Sequence, residues 1–135
     1  MVFSMWHLFL IPQGVELGYG ESHAAFLATF GGLGSIIGRL SHGIFIDRGI
    51  LGASSLFVLA SAVFAVSTFL NPLAVSSYAA LAALATLSGV TVGIIYPLTF
   101  VLMREIVGDQ HTSAYGWLFT SQGTGELLGG FCGGE

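Results

Sequence analysis

Long apolar runs divided by short clusters of glycine, proline, asparagine and charge set the layout of this chain. Read with those clusters as punctuation, the pattern predicts helices over about residues 1–12, 23–46, 53–70, 75–103 and 114–134. The turn "QGVELGYGES" separates the first two, with Ser22 as the expected N-cap of the second. "DRGILG" makes a tight charged connection after it, and "REIVGDQHTS" a polar loop before the last. From Gly49 to Met103 no side chain carries a charge, a stretch long enough for two bilayer-crossing helices of about 20 residues each. Asn71 and Pro72 are expected to break it in two. The fold class that follows is all-α, a polytopic membrane bundle of about five helices.

Composition supports this. Only 7% of the 135 residues are charged and none is lysine, against about a quarter in a soluble domain. Three basic and seven acidic residues are too few and too scattered for a charged patch, which excludes nucleic acid as a partner and leaves the lipid bilayer. Cys132 is the single cysteine, so no internal disulfide forms, and it reads as a packing residue among glycines. No metal-ligand spacing, cofactor motif or Ser, His and acid arrangement suggests a cofactor, a metal or enzymatic chemistry. The N-terminus has neither the basic region nor the cleavage site of a signal peptide. It is apolar but too short to span alone, and both ends read as cut from something longer.

Glycines every four residues mark where helices meet: Gly34 and Gly38, Gly89 and Gly93, and Gly125, Gly129 and Gly133. Gly43 is expected to allow a further close approach. Pro97 is expected to kink its helix, because it offers no N–H to the preceding turn. Arg48 and Arg104 flank the second and fourth connections, which the positive-inside rule assigns to the cytoplasm.

Two charges lie inside apolar segments. Arg39, in "GSIIGRLSHGIFIDRG", is costly there by roughly 2.5–3.5 kcal/mol on the insertion scale, and such residues by default turn toward a bundle interior or a watery path. Ser35 at i−4 and His42 at i+3 share its helical face. A guanidinium keeps its proton and offers a planar fork matched to a carboxylate, so Arg39 with Ser35 is the candidate anion site. The alternative is an anchor that snorkels to headgroups. Glu126, in "GTGELLGG", must be protonated, paired or wetted, which makes it and His42 the candidates for proton coupling, with a structural ion pair to Arg39 as the rival. His7 is a lone histidine without a second ligand. Tyr96 and Phe100 beside Pro97 put aromatic bulk on one helix face, as cavity wall or as core. Asp47 and Arg48 either clasp neighbouring helix ends or only set topology.

"GRLSHGIFIDRG", "HLFLIPQGVELGYGESHAAFLATFGGLGSIIGRL", "IIYPLTFVLMREIVG" and "AYGWLFTSQGTGELLGG" resemble the monocarboxylate transporters of the major facilitator superfamily. They correspond in order to the charged loop signature and to that family's seventh, eighth, tenth and eleventh helices, over essentially the whole chain. The resemblance implies residues 1–135 of a C-terminal six-helix half in a twelve-helix transporter at the plasma membrane. It implies movement of a small organic anion with protons, and by family resemblance a single-span accessory glycoprotein as partner. Arg39 matches the family's substrate-binding arginine. Ser35 stands where proton-coupled members carry an aspartate, and Glu126 where a small or hydroxyl residue is usual, so Glu126 is the expected substitute carboxyl. A non-transporting membrane scaffold, with Arg39 and Glu126 fixing helix register, is the alternative from another class.

Overall fold

The computed structural model describes residues 12, 14–16, 18, 20–74, 77–108 and 111–132. Nearly all of the helix expected at the N-terminus, His7 included, lies outside them, as does Gly133. Four α-helices run through the described residues, α1 Glu21–Asp47, α2 Ala53–Ala74, α3 Tyr78–Val107 and α4 His111–Cys132; residues 12 and 14–16 are also helical, and no strand occurs among the described residues. The first three are long and apolar enough to cross a membrane. α4 has the length, at about 1.5 Å per residue, but its Thr, Ser, Gln and Gly content leaves it more polar.

Local chemistry explains most boundaries, corrects two, and corrects one expected helix contact. α1 begins one residue before Ser22, with Gly20 as its N-cap and no side-chain cap. α2 does not break at Asn71 but runs on to Ala74. Pro72 lies in its last turn, where the missing N–H costs a single bond, and the chain turns there through Ser77 N–H to Ala74 C=O, 3.0 Å. Among the described residues Gly43 meets no other helix, since a Cβ built on it reaches only Asp47 of its own. The C-terminus of α1 closes by backbone alone. Gly49 takes φ 65°, its N–H bonds Ile46 C=O at 2.9 Å, and Ile50 N–H bonds Phe45 C=O at 3.1 Å. That is a Schellman motif, which needs a residue free to adopt positive φ. Asp47 and Arg48 are both exposed beside it.

Lipid solvates apolar side chains as well as a protein core does, so membrane helices associate through close packing and interhelical hydrogen bonds. α1 and α3 show the first. A Cβ on Gly34 would strike Thr86 C=O, one on Gly38 would strike Val90 C=O, one on Gly89 would strike Gly31 C=O, and one on Gly93 would strike Ser35 C=O. Only the absence of side chains lets these backbones touch. The matched pairs rise together along both helices, so α1 and α3 run parallel. α2 packs antiparallel to α3 through two apolar clusters, Leu56, Ala60, Ile94 and Leu98 toward one end, and Leu27, Ala74, Leu81 and Ala85 toward the other. Between them the Ser67 and Ser88 hydroxyls share a buried hydrogen bond of 3.1 Å, the second kind of link. Outward faces stay apolar: Phe69 is 83% and Leu40 73% exposed, as surfaces bathed by lipid should be. Because successive helices alternate in direction, the connections next to Arg48 and Arg104 come to the same end of the bundle.

Candidate functional site

α1 and α3 touch where glycines face each other, and one turn further along both helices the side chains become large. Arg39 and His42 on α1, with Tyr96, Pro97 and Phe100 on α3, line a cavity of about 290 Å³. Arg39 is exposed, and among the described residues no carboxylate pairs with its guanidinium. His42 Nδ1 lies 2.5 Å from Arg39 C=O. A carbonyl only accepts, so Nδ1 is the donor in that bond. α3 continues through Pro97, which offers no N–H to the Gly93 carbonyl.

α4 holds the aromatic wall in place. Phe100 stacks edge-on against Tyr115 with centroids 5.4 Å apart and tilts against Phe119 at 5.7 Å, while the Tyr115 hydroxyl donates to Phe100 C=O at 3.1 Å. One turn further on, Gln122 Nε2 donates to the Tyr96 hydroxyl and to Glu126 Oε1 at 3.2 Å. A polar chain therefore runs from Glu126 through Gln122 to a residue of the cavity wall.

Of the residues singled out from sequence, Arg39, His42, Tyr96 and Phe100 come together here. Ser35 lies one turn before Arg39, at the crossing, where its backbone packs on Gly93. Glu126 sits on α4, joined to the cavity through Gln122, and no ion pair with Arg39 forms among the described residues. Asp47 and Arg48 are about one and a half turns beyond His42 at the α1 terminus. Gln122 was missed, although its i, i+4 spacing to Glu126 places the two side by side on a helix.

A family model for the major facilitator superfamily matches residues 1–135. The chain belongs to the major facilitator superfamily. Comparison with curated proteins and with solved structures gave no match. Members of the superfamily are membrane transporters, which places this multi-pass chain in a membrane.

Proposed function

We propose that the chain is part of a transporter for small organic anions of the monocarboxylate kind, carried with a proton by alternating access at the plasma membrane. Residues 1–135 would supply helices of the C-terminal half, and a partner half would complete the site and rock against it. The observation that carries this reading is Arg39: a permanent cation, with no carboxylate beside it among the described residues, on the wall of a cavity completed by His42, Tyr96, Pro97 and Phe100. An anion with an apolar body satisfies both features. The volume, about 290 Å³, is at the small end of the range for ligand pockets. Glu126 would hold the proton, taking the part that Ser35 has no carboxyl to play. Arg48 and Arg104 would mark the cytoplasmic end.

In proteoliposomes bearing the full-length protein, uptake of acetate, lactate and benzoate is expected to exceed that of the matching amides by at least about tenfold, since a neutral amide forfeits the charge-assisted fork. An inward proton gradient should accelerate uptake, and Glu126→Gln should remove that acceleration. Equal uptake of acids and amides would refute the anion reading, and unaltered proton drive in Glu126→Gln would refute the role of Glu126.

A further inference from the structure

The chain from Glu126 to the cavity has a direction, and that direction assigns a task to Gln122. This step rests on the transport reading above. Glu126 Oε1 accepts from the Gln122 amide nitrogen; an ionised carboxylate only accepts, so with Glu126 deprotonated the nitrogen rather than the amide oxygen faces it. The same nitrogen's second hydrogen is given to the Tyr96 hydroxyl. Tyr96 is therefore an acceptor toward α4, and its own proton must be donated elsewhere. Among the described residues no group takes it, and Tyr96 lines the same cavity as Arg39.

We infer that Gln122 is a positioning residue for anion recognition: by occupying the acceptor side of Tyr96, it holds the tyrosine hydroxyl as a donor into the cavity, a second donor beside Arg39. Glu126 in turn fixes which face of the Gln122 amide meets Tyr96. Without Gln122 the hydroxyl still exists, but its proton is free to turn toward α4. An anion then meets a group as often presenting lone pairs as a proton.

The test is a double-mutant cycle in the full-length protein, reconstituted in proteoliposomes, with the acid of the acetate, lactate and benzoate panel that is taken up best. Tyr96→Phe, which removes the donor, is expected to raise KM about tenfold while the maximal rate stays within about twofold. Gln122→Leu, which keeps the bulk, should raise KM about threefold to tenfold. In the Tyr96→Phe background Gln122→Leu should have no further effect on KM, since nothing remains to orient. Thermal melting in detergent accompanies each variant, so that a packing defect reads as a lower Tm rather than as a KM change. A Gln122→Leu protein with wild-type KM, or one whose KM effect persists undiminished without the Tyr96 hydroxyl, overturns this inference alone, provided Arg39→Ala still abolishes uptake. If Arg39→Ala transports normally, or if no acid of the panel is taken up, the transport reading falls and this inference with it.

Discussion

Gly89→Val is expected to prevent the bundle from forming. The new side chain would enter the space held by Gly31 C=O on α1, and a backbone carbonyl cannot rotate aside as a flexible side chain can. Overpacking of a core that can adjust costs about 1–3 kcal/mol. Here the adjustment would have to separate α1 from α3 along the whole crossing, where Gly34, Gly38 and Gly93 meet the opposite backbone in the same way. The expected result is loss of monodisperse protein in detergent, or a Tm lower by well over ten degrees. The matched control is Gly116→Ala or Gly123→Ala on α4, where a Cβ meets nothing within 4 Å. Replacing a glycine in a helix interior should then gain about 0.5–1 kcal/mol by restricting the unfolded chain. Melting of Gly89→Val alongside wild type would show that α1 and α3 do not cross at these residues.

The second large effect is on function. Arg39→Ala should reduce uptake of every transported acid by about a hundredfold or more, since losing one partner of a desolvated charge pair costs on the order of 2–5 kcal/mol. Arg39→Lys separates charge from geometry. It keeps a cation but replaces the planar fork with a single point donor, and is expected to retain transport with KM raised about tenfold. Folding should be little affected, because the Arg39 side chain is exposed and α1 is held by its glycine face. Normal uptake by Arg39→Ala, at normal surface level, would reduce Arg39 to an anchor.

Much of the architecture was legible because in a membrane the rules are few. Charge-free runs longer than the bilayer must be helices, and glycines spaced by four must face something close. The first reading located the α2 and α3 pair, and the second the residues at which α1 and α3 touch. The misreadings came where a local rule met a wider context. Asn71 and Pro72 look like a break, yet a proline in the last turn of α2 removes little that the helix end would not have lost anyway. Gly43 fits the pattern of a contact glycine, but it lies past the crossing, on the part of α1 where Arg39 and His42 border a cavity. The sequence also placed Ser35, Arg39 and His42 on one stripe. The crossing divides that stripe, with Ser35 on the packed side and the other two at the cavity. Gln122 was out of reach for a different reason. Its meaning depends on Tyr96, twenty-six positions away on another helix, and no spacing along one chain reports an interhelical hydrogen bond.

The most direct measurement is a structure of the full-length protein with a transported acid bound. The carboxylate is expected in the cavity between α1 and α3, its two oxygens about 2.7–2.9 Å from the Arg39 guanidinium nitrogens, with the apolar body against Tyr96 and Phe100. A guanidinium turned outward to the lipid headgroups, with the acid bound elsewhere, would contradict the account.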